Sequence, residues 1–114
     1  MPAIDVIIPC YNIGHIIEKC VFSVLNQKYN GTINIYIIND GSIDNTKKIL
    51  QNFNKYSNIV IINNKKNKGL SYSRNIGISL GYNEIICFLD GDMAVKNNWL
   101  QSHIDIITKN NIVG

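Results

Sequence analysis

Glu84-Ile85-Ile86-Cys87-Phe88-Leu89-Asp90-Gly91-Asp92-Met93 is the stretch on which the reading of this chain turns. An apolar run of strand length stops on two carboxylates one residue apart. A continuous run, without polar alternation, suits a strand covered on both faces, as in a parallel sheet. The Asp-x-Asp then falls at the strand's C-terminal end. It sets two hard oxygen ligands close together, the kind that magnesium and manganese take alongside substrate phosphates. Asp-Gly is also a strong turn signal, so the pair alone admits a plain turn. The residues upstream decide between the two.

The same design recurs three times before it. Ile4 to Pro9 is a run of strand type ending at Pro9-Cys10-Tyr11-Asn12. Ile33 to Ile38 ends at Asn39-Asp40-Gly41-Ser42, and Ile59 to Ile62 ends at a loop from Asn63 to Gly69. Between the runs the period changes to that of a helix. Ile16, Ile17, Cys20, Val21, Val24 and Leu25 share one helical face. Ile49, Leu50, Phe53 and Tyr56 mark a second helix, with Ser42 or Asp44 as its cap. Leu70, Ser73, Ile76, Gly77 and Leu80 mark a third, with Gly81 at its C-terminal cap. Trp99, Leu100, Ile104 and Ile107 mark a fourth, started by Asn97 or Asn98.

The order β-α-β-α-β-α-β-α predicts an α/β, Rossmann-like fold: a mostly parallel sheet with helices on both faces. Ligands of such sheets bind outside the carboxyl ends of the strands. All four polar clusters fall there. Asn111-Ile112-Val113-Gly114 reads as a fifth strand just starting. The expectation is one domain, residues 1–114, cut after the Asp-x-Asp region, with a short natural protein as the alternative.

Composition limits the rest. The 114 residues are 46% hydrophobic and 17% charged, which fits one globular domain and not disorder. A net charge of +3 is too weak to argue for nucleic acid. Ile and Asn together make up roughly a third of the chain, so a single Asn carries little functional weight. No apolar run approaches the ~20 residues of a membrane span. No signal peptide is visible at the N-terminus, and a cytoplasmic setting is the expectation. Cys10, Cys20 and Cys87 form no C-x-x-C pair and read as buried thiols. His15 and His103 lack metal partners at ligand spacing, and Trp99 reads as a core anchor.

No G-x-G-x-x-G follows the first strand and no G-x-x-x-x-G-K-[ST] is present, which disfavours dinucleotide and P-loop sites. A diphosphate ligand would need another counter-charge, and a divalent ion on Asp90 and Asp92 would supply it.

Four motifs then stand in order: Val6-Ile7-Ile8-Pro9-Cys10-Tyr11-Asn12, Ile38-Asn39-Asp40-Gly41-Ser42-Ile43-Asp44, Asn67-Lys68-Gly69 with Ser73-Arg74-Asn75, and Leu89-Asp90-Gly91-Asp92. Together they resemble family 2 glycosyltransferases of the GT-A fold over nearly the whole chain. The resemblance implies the nucleotide-sugar-binding part of an inverting, metal-dependent enzyme, most often a user of UDP-sugars. It implies that Pro9, Tyr11 and Asn12 line the base and ribose, and that Asp40 accepts a hydrogen bond from the base. Lys68 and Arg74 would meet base or phosphates. Asp90 would touch ribose or metal-bound water, and Asp90 with Asp92 would hold Mn2+ or Mg2+. Asn39 stands where many members have Asp, and Ser73 where many have Ala. The family's general base comes well after the Asp-x-Asp, so the 114-residue chain alone is expected to transfer sugar slowly if at all. The acceptor, whether saccharide, lipid or protein, is left open, as is peripheral attachment at the inner face of a membrane.

Two rival readings stay in view. One is a non-catalytic module that binds nucleotide sugar or a partner protein. The other is a non-sugar α/β domain, such as a phosphotransfer module, with a metal on its acidic edge. Residue by residue, Asp40 and Asp44 admit capping roles, Lys65, Lys66 and Lys68 a solvated loop, and Arg74 an ordinary helix surface.

Overall fold

In the computed structural model, residues 1–109 are described. The strands are β1 (Ile4–Cys10), β2 (Ile33–Asn39), β3 (Ile59–Asn63) and β4 (Ile85–Phe88). The helices are α1 (Ile17–Leu25), α2 (Thr46–Leu50), α3 (Leu70–Leu80) and α4 (Trp99–Lys109), with a 3-10 turn at Gln51–Phe53. The four strands form one sheet in the order β3-β2-β1-β4, and every pairing is parallel. This is the α/β architecture that the alternating pattern predicts.

Strand alternation splits the buried residues into two layers. Ile4, Val6, Ile8 and Cys10 of β1, with Ile35 and Ile37 of β2, join the main core. Ile17, Cys20, Val21 and Val24 of α1, Leu50 of α2, Phe53, and Leu100 and Ile104 of α4 pack in the same core. Ile7, Tyr36 and Ile38 point to the other face, where Ile76 of α3 and Ile86 of β4 cover them. So α1, α2 and α4 share one face, and α3 alone covers the other.

Asp5 lies on the α3 face and is fully buried. Its carboxylate accepts the Asn83 backbone N–H at 2.9 Å and the Asn83 Nδ2 at 2.7 Å. A buried carboxylate without partners would be costly. Here it ties the turn between α3 and β4 to the first strand.

Several boundaries differ from those the periodicity suggests. The second helix is one short α turn continued as 3-10, and Tyr56 lies beyond it. Its N-cap is Asn45, which makes no side-chain cap bond. Asp44 instead accepts the Thr46 N–H at 3.0 Å from one residue further out. Gly81 does occupy the C-cap of α3, but with extended backbone rather than the left-handed form. Asn98 does open α4: its carbonyl accepts the Ser102 N–H at 2.9 Å. Trp99 is half-buried against the main core. The expected strand at Asn111–Gly114 lies outside the described residues. No helix among the described residues is long and apolar enough to cross a membrane.

Register positions the site. Cys10 pairs with Asn39, and Asn39 with Asn63, so β1, β2 and β3 turn polar at one level. On the other side β4 ends with Phe88 opposite Ile7. Gly91 then donates its N–H to the Pro9 carbonyl at 3.2 Å, which keeps Asp90 and Asp92 beside the end of β1. The chain runs from β1 outward to β3 and returns to the opposite side of β1 for β4. The crevice between β1 and β4 is therefore a topological switch point, where ligands of doubly wound sheets bind.

Candidate functional site

A cleft of about 300 Å3 opens at that switch point. The end of β1 supplies Pro9, Cys10 and Tyr11, and β2 supplies Asp40. Asn67, Gly69, Leu70 and Ser73 come from the β3–α3 loop and the start of α3, and Asp90, Gly91 and Asp92 from the end of β4. Of the residues that the sequence nominates, Pro9, Tyr11, Asp40, Asp90 and Asp92 meet here. Asn12, Lys68 and Arg74 do not line the cleft.

Asp40 is almost wholly buried and organises the far wall. Its Oδ1 accepts Asn64 Nδ2 at 2.9 Å and the Lys68 N–H at 2.8 Å. Its Oδ2 accepts the Gly69 N–H at 2.8 Å. Burial pushes its pKa up. The bonds from Asn64 and the Lys68 and Gly69 amides, with Ser73 close by, outweigh burial and set it below the ordinary carboxylate value. Ser73 Oγ is buried and reaches full hydrogen-bonding geometry with no group, Asp40 included. Each carboxylate oxygen accepts about two bonds, so Oδ2 retains capacity for one more donor.

Gly41 follows with φ 73, in the left-handed region. Any Cβ there would collide with the backbone of Lys66 and Asn67. The Asp40-Gly41 step is thus where the β2–α2 and β3–α3 loops touch, and both the conformation and the contact require glycine.

Asn12 works inside the protein. Its backbone is also left-handed, at φ 52, and its Oδ1 accepts the Ile43 N–H at 2.8 Å. The Asn12 N–H donates to Ser42 Oγ at 2.9 Å, and the Gly14 N–H to Asp44 Oδ2 at 3.1 Å. The bond from Thr46 Oγ1 is the chief cause that holds the Asp44 carboxyl below its usual range, against a smaller push from burial. This clamp fixes Tyr11, half exposed at the cleft mouth, relative to Asp40.

Asp90 and Asp92 are open to solvent. The Asp90 side chain is 57% exposed, and Arg74 Nη2 stands 3.8 Å from its Oδ1. Solvent screening makes such a pair weak. The Arg74 guanidinium also lies over the Phe88 ring, 5.5 Å from its centroid. Lys68 contributes its backbone amide to Asp40, and its side chain lines a separate surface groove.

Cys10 lines the cleft, Cys20 Sγ lies 3.7 Å from the Asp90 carbonyl, and Cys87 is buried in β4 beside Val6. Burial pushes Cys10 and Cys20 up to about 12 and Cys87 to about 11. Nucleophilic chemistry needs the thiolate, which burial disfavours at all three.

Some cleft residues escaped the sequence reading: Ile13 and Leu70 line it yet carry no chemical signal of their own, and Gly91 was legible only as the middle of the Asp-x-Asp. Asn67 and Gly69 were legible as part of a motif, though not as cleft wall.

Known proteins share both the sequence pattern and the fold. The sequence profile of "Glycosyl transferase family 2" matches residues 5–114. Glycosyltransferase AglE of Haloferax volcanii is 34% identical over 110 residues, covering 95% of this chain and 36% of AglE. Glycosyltransferase GlyG of Streptococcus pneumoniae is 36% identical over 100 residues, covering 87% of this chain and 33% of GlyG. The chain thus spans about a third of the length of these relatives. Among solved structures, S. aureus TarS 1-349 in complex with UDP-GlcNAc superposes with TM-score 0.83 at 23% identity, over 94% of this chain and 31% of that one. The Pyrobaculum calidifontis mannosyltransferase PcManGT, in complex with GDP-Man and Mn2+, superposes with TM-score 0.86 at 18% identity, over 93% of this chain and 32% of that one. At these identities the two structures speak for a shared GT-A fold. The profile match over nearly every residue speaks for kinship: this chain belongs to glycosyl transferase family 2.

Proposed function

We propose that the cleft binds a nucleotide sugar, and that residues 1–114 form the donor-binding part of an inverting glycosyltransferase. The observation that carries this reading is the convergence of Tyr11, Asp40, Asp90 and Asp92, from three strand ends, on one cleft. A Tyr face can stack on a base, and the spare acceptor site on Asp40 Oδ2 suits an imide N–H such as that of uracil. Adenine presents no such N–H, whereas thymine (N3–H) and guanine (N1–H) do; among these a uridine diphosphate sugar is the donor proposed.

Asp90 and Asp92 would hold Mn2+ or Mg2+. Two solvent-open carboxylates fit a magnesium-type ion that takes its remaining ligands from phosphates and water. No cluster of three or more His, Cys, Asp or Glu side chains able to hold a metal occurs among the described residues, so donor and metal would bind together. When bound, the ion supplies Lewis-acid stabilisation of the departing diphosphate. The relatives' complexes with UDP-GlcNAc and with GDP-Man and Mn2+ support both parts of the proposal.

In the transfer, the acceptor oxygen bonds the anomeric carbon from the face opposite the diphosphate. The bond from that carbon to the diphosphate oxygen breaks, and its electron pair leaves with the diphosphate. The acceptor proton needs a base. Among the described residues, only Asp40, Asp90 and Asp92 bring carboxylates to the cleft, and all three have other work. Asp5 is buried against Asn83, and Asp105 accepts Gln101 Nε2 on α4. A positioned base contributes about 10²–10⁴-fold, and acceptor positioning adds to that. This shortage favours donor binding with trace transfer by these residues alone.

The test is incubation with UDP-, GDP- and ADP-sugars, Mn2+ and a mixed acceptor panel, followed by nucleotide release and thermal shift. The expected result is stabilisation by UDP-sugars above the others, with little acceptor-dependent release. Stabilisation by adenosine nucleotides equal to that by uridine nucleotides would remove the donor assignment. Brisk acceptor-dependent release would overturn the shortage of a base.

A further inference from the structure

The charges of this chain are segregated along its sequence. Residues 45–83 carry six lysines and Arg74 and not one acid, so all eight Asp and Glu lie outside them. The topology turns this into a spatial asymmetry, because that segment builds α2, the edge strand β3, the β3–α3 loop and α3. The β3 side of the sheet is therefore rich in lysine, while Arg74 of α3 faces Asp90 at the end of β4.

The basic flank also has an apolar tip. Lys65, Lys66 and Lys68 with Tyr72 and Asn64 line a surface groove beside the cleft. Leu70 and Tyr72, in the first turn of α3, are half exposed, and Ile43 on the neighbouring loop is 88% exposed. The contact between Gly41 and Lys66-Asn67 brings those two loops together at the C-terminal edge of the sheet. Lys47 and Lys48, both exposed, follow on the first turns of α2. The acids in this neighbourhood are Asp44, whose carboxylate is engaged by Gly14 and Thr46, and Asp40, which is buried and engaged by Asn64, Lys68 and Gly69. Lysines surrounding exposed Ile, Leu and Tyr are the combination that holds proteins to anionic bilayers: charges attracted to headgroups and apolar side chains entering the boundary below. Nucleic acid would use the charges but leave Ile43 and Leu70 without a role.

We propose that this edge docks on an anionic lipid surface through Lys65, Lys66, Ile43 and Tyr72. The mouth of the cleft opens on the same edge, so docking would bring it to the bilayer surface. The proposal stands on charge and exposure and does not depend on the donor assignment.

The test is co-sedimentation of the chain, without nucleotide or metal, with vesicles of phosphatidylcholine alone or with about a third phosphatidylglycerol. Binding is expected on the anionic vesicles only, and it should weaken by ten-fold or more in Lys65→Glu/Lys66→Glu. The same charge change on the other flank, Lys19→Glu/Lys28→Glu, should cost less than three-fold. Ile43→Ser/Tyr72→Ser should weaken binding to vesicles and leave binding to a DNA duplex unaltered. Absence of vesicle binding, or equal loss in the two charge-reversal pairs, would overturn the proposal. Vesicle binding indifferent to Ile43→Ser/Tyr72→Ser would overturn it too, and would assign the flank to polyanions in general. Loss of UDP binding with vesicle binding intact would count against the donor reading alone.

Discussion

Asp40 holds the backbone amide of Lys68 at 2.8 Å across 28 residues of sequence. With Gly69 on its other oxygen, the same carboxylate that is proposed to meet the base also builds the wall beside it. Binding and local stability are therefore coupled through one side chain.

Asp40→Asn should fail on both counts. An amide nitrogen in place of either oxygen faces N–H groups that need an acceptor. Loss of hydrogen bonds to a charged group costs about 1.5–3 kcal/mol. Urea unfolding should register a loss in that range, and uridine nucleotide affinity should fall ten-fold or more. Wild-type stability in this variant would refute the clamp, and wild-type uridine affinity would refute the base contact.

The pH dependence follows from the direction of two shifts. Asp40 and Asp44 both sit below the ordinary carboxylate value in the folded chain. Across the window between their folded values and the unfolded value of about 4, the unfolded chain binds more protons, so stability rises with pH there. Their contribution is complete above that unfolded value and is lost as pH falls through the folded values. Urea midpoints should be flat from neutrality to about pH 5 and drop below about pH 4. A midpoint that rises on acidification would contradict the assignment.

Gly77 is where α3 meets β1. A Cβ at this position would run into the side chain of Ile7. Gly77→Ala should cost about 1–3 kcal/mol through overpacking, despite the better helix propensity of Ala. A neutral or stabilised variant would mean that α3 is not seated on Ile7 as described.

The thiols offer a check on the packing. Cys10, Cys20 and Cys87 are buried and hold their protons at pH 8. Ellman's reagent should leave all three untouched in the folded chain and titrate all three in urea. Rapid labelling of Cys10 in the folded chain would mean that the cleft floor is open.

Sheet and site were legible in the sequence to different depths. Short, largely apolar runs such as Ile4–Pro9, alternating with helical spacing, suit strands covered on both sides, so the α/β order followed from them. Where each run ended, the polar residues had to face one edge, which brought Tyr11, Asp40, Asp90 and Asp92 together. What periodicity does not encode is long-range hydrogen bonding. Asn12 looked like part of a ligand loop, yet its Oδ1 serves the Ile43 amide, a partner 31 residues away. Asp5 lies within a buried strand and so demands a partner, and that partner, Asn83, is 78 residues away. The second helix is shorter than its spacing suggests, because Tyr56 continues the helical period while the backbone has already tightened to 3-10 at Phe53. Arg74 does reach Asp90, but across the cleft mouth and at 3.8 Å, a relation set by the packing of α3 and not by any spacing.

The central claim is that the cleft takes a nucleotide diphosphate together with a divalent ion on Asp90 and Asp92. Titration calorimetry with UDP, in Mn2+ and then in excess chelator, tests it most directly. The account predicts binding in Mn2+ that weakens at least ten-fold on chelation and equally in Asp92→Ala. UDP binding of the same strength with and without metal would contradict it.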